Sequence, residues 1–367
     1  MKDFYFGFFF PCIFWHASEP FFLSWCKFFL LGDFQILDYV KMIYMASRKL
    51  RALMVILCLV SLVTFLLSDP SFPFSPFQNS IQGPCGCRPC IWDPEEVDPW
   101  FSERFNQSIH PLLSSSNSNL SEETYKWWLW LQAETNPSNL TTVIDRLFQV
   151  VPGEQHYMDA GASRCRSCSV VGNSGNLLSS HYGELIDSSD FVFRINLAMT
   201  QGFERDVGSK TTHHVMYPES AMDLQNSSTS LLLIPFKILD LEWLASALTS
   251  GHIDYTYMPV SPRIQANRHK VLVYNPSFMK YVYEVWLENH GRYPSTGFLS
   301  LMFALHICDQ VNVFGFGADQ AGNWHHYWEE NLYSDAFKET GVHDADFEYN
   351  ITQTLAQKGK IRMYKGV

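Results

Sequence analysis

The sequence predicts an α/β domain built on a largely parallel sheet, and three observations predict it. From Cys168 onward, short runs rich in Val, Ile and Phe alternate with stretches of helical length and period. The first of these runs empties directly into the turn Gly172-Asn-Ser-Gly175. Of 367 residues, 47% are hydrophobic and only 17% charged, which supplies a core and excludes a wholly disordered chain.

Two helix-like segments, Tyr125–Ala133 and Thr142–Val150, precede the alternation. Strand-like runs follow at Ser169–Gly172, Phe191–Ile195, Leu231–Pro235, Ile253–Tyr257, Val271–Tyr274 and Val311–Phe314. Between them, Asp240–Thr249, Ser277–Asn289 and Thr296–Cys308 have helical period. In such sheets ligands bind beyond the C-terminal strand ends, so the loops there carry the functional weight.

The 26 Lys+Arg against 37 Asp+Glu give a net charge of −11. That balance argues against a nucleic-acid partner, which calls for a basic footprint. A small anionic ligand remains compatible, because local groups decide its binding. Apart from the Ser/Asn-rich stretch Ser114–Ser121 there is no low-complexity tract and no internal repeat.

The N-terminal third divides by composition. Leu50–Leu67 is an apolar run with Arg48, Lys49 and Arg51 before it and Asp69-Pro70 after it. This charge asymmetry reads as a type II signal-anchor, with a cytosolic tail at 45–51 and the span at 52–67. A cleaved signal peptide is the alternative, but no small-x-small cleavage site follows. Residues 1–44 are Phe-rich, interrupted by Pro and charge, and read as an extension ahead of Met45; a second membrane segment is the competing reading. A Pro/Ser-rich stem is expected over 68–99 and a globular domain over 100–367.

Two features agree with a lumenal domain. Asn106, Asn119, Asn139, Asn226 and Asn350 each begin an N-x-Ser/Thr acceptor for N-glycosylation. Six cysteines lie beyond the span: Cys85, Cys87, Cys90, Cys165, Cys168 and Cys308. In an oxidising compartment an even count reads as up to three disulfides of undetermined connectivity. A zinc site from C-x-C-x2-C plus C-x2-C is the rival reading.

Three constellations carry chemistry. Glycines in Gly172-Asn-Ser-Gly175 let backbone N–H groups approach a phosphate, and Asn173 adds an amide; an ordinary tight turn explains them equally well. Gly291-Arg-Tyr-Pro-Ser-Thr-Gly297 opens a helix whose N-terminus attracts anions, although Ser295 or Thr296 can serve only as a cap. Asn323-Trp-His-His-Tyr-Trp-Glu329, with Gly341-Val-His-Asp-Ala-Asp346, concentrates His, aromatics and carboxylates. Asp344-Ala-Asp346 has the outline of a D-x-D metal motif, or of an acidic helix start.

Taken together, these stretches resemble the four ordered motifs of the animal sialyltransferase family. The large motif matches Cys165–Pro218 and the small motif Asn275–Gly297. The third matches His326-Tyr-Trp-Glu329, and the last matches His343 with Glu348. CGCRPC at 85–90, WFSERFNQS at 100–108, GNWHHYWE and GVHDADFE are similar to β-galactoside α-2,3-sialyltransferases that use Galβ1-3GalNAc.

The resemblance implies a GT-A-like variant fold with a Rossmann-like sheet in a single lumenal domain of a Golgi membrane protein. It implies a metal-independent, inverting transfer from CMP-sialic acid to the galactose 3-hydroxyl of glycoproteins or glycolipids, with no cofactor. His343 would be the general base and His326 the contact to the donor phosphate. Asn173, Ser174, Asn196, Tyr257, Ser295, Thr296, Gly297 and Gly317 would hold the donor, and Gln132 and Tyr293 the acceptor galactose. The implied disulfides are Cys168–Cys308, Cys87–Cys165 and Cys85–Cys90. Asp344 and Asp346 are expected to be structural. A homo-oligomer is compatible with the sequence but not dictated by it.

Two other classes compete. A metal-dependent phosphoesterase or nucleotidase would use His325, His326, His343, Asp344 and Asp346. A non-catalytic lectin would use Trp324, Tyr327 and Trp328 as a sugar platform. A sialyltransferase with another galactoside acceptor is the alternative within the family.

Overall fold

The computed structural model describes residues 53, 55–57, 59–61, 85–93, 98–153, 157, 159–330 and 341–367. The chain divides into two units, Met1–Ser80 and Ile81–Val367. In the first, the described residues are helical and exposed. The tail, the extension and most of the expected span lie outside the described residues. Among the described residues no helix is long and apolar enough to cross a membrane.

The second unit is built on a seven-stranded sheet. Its strands are β1 (Ser167–Val171), β2 (Phe191–Ile195), β3 (His213–Met216), β4 (Ser230–Leu233), β5 (Val271–Val273), β6 (Gln310–Phe314) and β7 (Arg362–Tyr364). The order is β5-β4-β3-β2-β1-β6-β7, and every neighbouring pair is parallel. Such sheets are covered on both faces, which explains why the strands read as continuous apolar runs.

Described helices supply the cover: α1 (Pro99–Arg104), α2 (Glu122–Leu131), α3 (Leu140–Leu147), α4 (Gly183–Asp187), α5 (Glu204–Val207), α6 (Ile238–Ala247), α7 (Pro276–Tyr281), α8 (Thr296–Ile307) and α9 (Ala345–Gln357). Helix α7 continues as a π-helical turn through Val282–Trp286. Local chemistry sets their starts. Ser121 accepts a hydrogen bond from the Thr124 N–H at the head of α2, and Asp344 accepts one from the Phe347 N–H at the head of α9. Helix α8 is apolar all round and buried along nearly its whole length, packed against β1, β2, β3 and β6.

The strand order fixes where a ligand can go. The chain steps outward from β1 to β5, then returns to lay β6 on the other side of β1. That reversal leaves a crevice beyond the C-terminal ends of β1 and β6.

Several expectations shift against this frame. Ile253–Tyr257 is not a strand: it is a loop holding one isolated bridge, Tyr255 to Pro259, and it exposes Tyr255 and Tyr257. The β3 strand was not expected, because its leading His213-His214 pair hides a run that is fully buried. Short, partly exposed β7 and the full length of α9 also went unread. The folded unit begins upstream of residue 100, since Cys85, Cys87, Cys90 and Ile91 are buried.

The disulfides are Cys85–Cys90, Cys87–Cys165 and Cys168–Cys308. The last joins β1 to the residue that ends α8 across 140 residues of sequence. Beside it, Asp309 accepts two hydrogen bonds from the Arg164 guanidinium, at 2.6 and 2.9 Å, and one from the Arg166 N–H at 2.7 Å. Replacing Cys168 and Cys308 together with Ala should lower unfolding stability by about 2–5 kcal/mol. Denaturant unfolding of the double variant and the parent measures this, and an unchanged midpoint would exclude a stabilising role.

Candidate active site

A cleft of about 340 Å³ opens in the crevice beyond β1 and β6. That volume lies within the range of small-ligand sites. Its floor is backbone. Val171 on β1 pairs with Phe314 on β6, so Gly172 and Gly315 leave the sheet side by side. The Gly172 N–H donates to the Phe314 carbonyl and the Ser174 N–H to the Gly315 carbonyl. A Cβ on Gly172 would be driven into the Gly315 backbone, so both strands can leave together only without side chains. Gly317 has φ +90, and a Cβ there would meet the Tyr349 ring.

A second loop is stitched onto this floor. Ser174 and His326 form an antiparallel bridge. The Gly175 N–H donates to the His325 carbonyl at 2.8 Å, and the Tyr327 N–H to the Asn173 carbonyl at 3.0 Å. His326 therefore sits on the same frame as Asn173. Its Nδ1 pairs with Glu329 Oε1 at 2.8 Å, and its ring stacks on Trp328.

Amides line the next stretch of wall. Asn173 Nδ2 donates to the Ile195 carbonyl at 3.0 Å, while its buried Oδ1 has no hydrogen-bond partner. Such an acceptor in a cleft suits a ligand donor. Asn196 holds φ +56; its N–H donates to the Val215 carbonyl, and its Oδ1 accepts from the Ser220 hydroxyl.

The opposite wall is the start of α8. Ser295 Oγ accepts from the Phe298 N–H and donates to Glu348, whose other oxygen accepts the Ser295 N–H at 2.7 Å. The Ser295 side chain is thus engaged in the cap. Its effect is to present the N–H groups at Thr296 and Gly297 at a helix N-terminus. Burial pushes the Glu348 carboxyl up to about 7, against the Ser295 hydrogen bonds. Near neutrality this carboxyl therefore does not hold a full negative charge against an anion.

His343 lies where the chain enters α9. Its Nδ1 is 2.8 Å from the Tyr293 carbonyl, and the two rings meet edge to face. A carbonyl only accepts, so Nδ1 carries the proton and the neutral ring bears its lone pair on Nε2. Burial holds the imidazole below its ordinary pKa, opposed by the Tyr293 hydrogen bond. Both settings favour a neutral base.

All twelve expected site residues line this one cleft: His343, His326, Asn173, Ser174, Asn196, Tyr257, Ser295, Thr296, Gly297, Gly317, Gln132 and Tyr293. Among the described residues that line it, none is Lys or Arg. Tyr217, Phe236 and Thr352 also face it and were not expected. Tyr217 lies at the end of the large motif just after β3, whereas Phe236, in the turn after β4, and Thr352, on α9, lie in none of the motifs.

Of the donors of the phosphoesterase reading, His325, His326 and His343 line the cleft, but no three of the five bring ligand atoms within 4.8 Å of one another. Asp344 Oδ1 caps α9 and Oδ2 meets His290 Nδ1 at 3.0 Å. Among the described residues, the one metal-capable group within 4.8 Å is Cys85, Cys87 and Asp309, where both cysteines are disulfide-bonded.

Comparison with known proteins agrees with this geometry. Residues 112–360 match the model of glycosyltransferase family 29 (sialyltransferase). A Gallus gallus protein named CMP-N-acetylneuraminate-beta-galactosamide-alpha-2,3-sialyltransferase 1 is 48% identical over 343 residues, covering 89% of this chain and 100% of its own length. The Homo sapiens protein of that name is 55% identical over 284 residues, covering 77% of this chain and 83% of its own. The crystal structure of a mammalian sialyltransferase in complex with Gal-beta-1-3GalNAc-ortho-nitrophenol has a TM-score of 0.72 at 53% identity, covering 77% of this chain and 100% of that one. The chain belongs to glycosyltransferase family 29, the sialyltransferases.

Proposed function

We propose that the chain transfers sialic acid from CMP-sialic acid to the 3-hydroxyl of terminal galactose in Gal-β1,3-GalNAc, on O-glycans or glycolipids, with inversion. The names of its relatives supply the donor and acceptor classes. The observation that carries the reading on this chain is the fixed tautomer of His343, a neutral imidazole in the same cleft as an N–H-rich helix start.

The chemistry follows from those residues. Breaking the bond to CMP builds positive charge on the anomeric carbon, an oxocarbenium-like state. Negative charge builds on the departing phosphate. The α8 start at Thr296 and Gly297, together with the His326 ring, receives that charge in fixed orientation. The acceptor hydroxyl is a weak nucleophile, and Nε2 of His343 takes its proton as the new bond forms. Attack from the face opposite the phosphate inverts the centre. Asn173 and Asn196 hold the nucleotide, Tyr257 stands near the donor, and Gln132 and Tyr293 hold the galactose.

The reaction as read needs no divalent cation, because N–H dipoles and imidazole meet the phosphate. A type II, Golgi-lumenal setting is part of the proposal. Three disulfides and five exposed N-x-Ser/Thr asparagines are consistent with an oxidising, glycosylating compartment.

Three outcomes are expected. The full chain, offered CMP-sialic acid and a galactoside panel in EDTA, should yield an α-2,3 linkage on Gal-β1,3-GalNAc. Loss of turnover in chelator with recovery on Zn²⁺ or Mn²⁺ would replace this reading by the metal-dependent one. His343→Ala should lower kcat by at least ~10²-fold with CMP-sialic acid affinity nearly intact, whereas His326→Ala should weaken both.

The pH profile is the third outcome. Protonating His343 removes the base, so kcat/KM should fall as pH drops through its pKa. Because burial depresses that pKa, the acid limb should lie below the ordinary His value of about 6.5. An acid limb above that value would remove the base assignment.

A further inference from the structure

At the acceptor end of the cleft lies an ionic cluster that the mechanism does not use. Lys237, the residue preceding α6, is 4% exposed. Its Nζ donates to Gln132 Oε1 at 2.6 Å and pairs with Asp240 Oδ1 at 2.6 Å and Glu219 Oε1 at 3.3 Å. It also stands 5.0 Å from the centroid of the Tyr257 ring. The two carboxylates are held in turn: Asp240 Oδ2 accepts the Phe236 N–H at 2.8 Å, and Glu219 Oε1 accepts the Thr256 hydroxyl.

The arrangement is costly to assemble. A buried ammonium and two buried carboxyl groups lose their hydration, burial raises the Asp240 carboxyl pKa against the pull of Lys237, and apolar groups of the same volume would often stabilise as well. Its geometry has one clear output. An ammonium carries three protons and no lone pair. Here it donates to Gln132 and Glu219 and lies in ion-pair contact with Asp240 Oδ1, so its partners enclose it. Gln132 and Tyr257 line the cleft and Lys237 does not. Lys237 therefore acts through its neighbours.

What it does to Gln132 is specific. An amide can turn over to present either its oxygen or its NH2. With Oε1 taken by an ammonium, the only stable orientation points NH2 away from Lys237. The segment carrying Gln132 is clamped in place: Trp128 Nε1 donates to the Pro235 carbonyl, and Glu134 accepts the Ile238 and Leu239 N–H groups. The C-terminal end of α2 and the turn before α6 are thus tied together.

We infer that Lys237, balanced by Asp240 and Glu219, is a positioning residue for acceptor selectivity: it fixes the Gln132 amide so that the cleft offers a donor to a sugar hydroxyl oxygen. The inference rests on the proposed function. It adds that acceptor recognition at Gln132 has a polarity, set by a residue that touches no substrate.

The test uses the full chain and steady-state kinetics with CMP-sialic acid, Gal-β1,3-GalNAc and acceptors deoxygenated at single galactose hydroxyls. Lys237→Met should raise the acceptor KM about 10-fold, the scale of one oriented hydrogen bond. Donor KM should change less than acceptor KM, because Lys237 also faces the Tyr257 ring. The variant should also discriminate less than the parent against one of the deoxy acceptors. In a Gln132→Ala background, Lys237→Met should have no further effect on acceptor KM. An unchanged acceptor KM, or effects of the two substitutions that simply add, would overturn the inference.

If Lys237→Met does not fold, Gln132→Glu carries the question. The new carboxylate still faces Nζ, so the fold should hold, but its outward atom accepts where the amide donated. Acceptor KM should again rise about 10-fold, and a parental value would overturn the inference. If the parent protein sialylates no galactoside, the proposed function fails and the subsite goes with it. If the parent is active and the variants are unaltered, only the role of Lys237 is lost.

Discussion

The pairing of β1 with β6 is the constraint on which the cleft depends. These strands are neighbours in space but far apart in sequence, with four strands inserted between them. Their parallel register brings Gly172 and Gly315 out of the sheet together, close enough that neither backbone tolerates a side chain in between. From that point the loops at 173–175 and 325–327 can bond to each other, which sets His326 and Asn173 on one frame. Shift the register by one residue, and the glycines, the amides and the imidazole would all face elsewhere.

The electrostatics of the cleft answer a problem posed by composition. An acidic chain with net charge −11 must bind a nucleotide sugar that is itself anionic. Among the described lining residues it does so without Lys or Arg. In the proposed reading, backbone N–H groups and imidazole take their place, and such groups discriminate by direction more than by charge. The one buried carboxyl at the helix start, Glu348, is kept from full ionisation by its burial. Lys237, a short step away, spends its charge on orienting Gln132.

Much of this was legible before any coordinates. The alternation of β and α segments gave the layer architecture, and the glycine turn after the first strand pointed to the end of the sheet that matters. The proposed catalytic and donor residues that line the cleft stood out where they sit in a compact local pattern, as at Gly291–Gly297 or around His343. What stayed hidden depends on partners distant in sequence. His213 and His214 look polar, yet both are buried in the sheet, where Thr212 and Tyr157 satisfy the first and the Asn196 carbonyl the second. Ile253–Tyr257 has strand-like residues but no strand edge beside it to pair with. Lys237 reads as an ordinary surface lysine until the fold wraps two carboxylates and an amide around it.

The burial of one covalent link also bears on how the molecule is made. Cys168 and Cys308 are both 0% exposed, sealed between the sheet and α8. No thiol reagent or oxidoreductase can reach either sulfur once the two layers have closed. The bond must therefore be joined while the chain is still open. Nascent polypeptide that collapses first would trap two separated thiols inside its own interior. Formation of the folded protein is thus bound to the timing of oxidation, a race between disulfide formation and hydrophobic collapse.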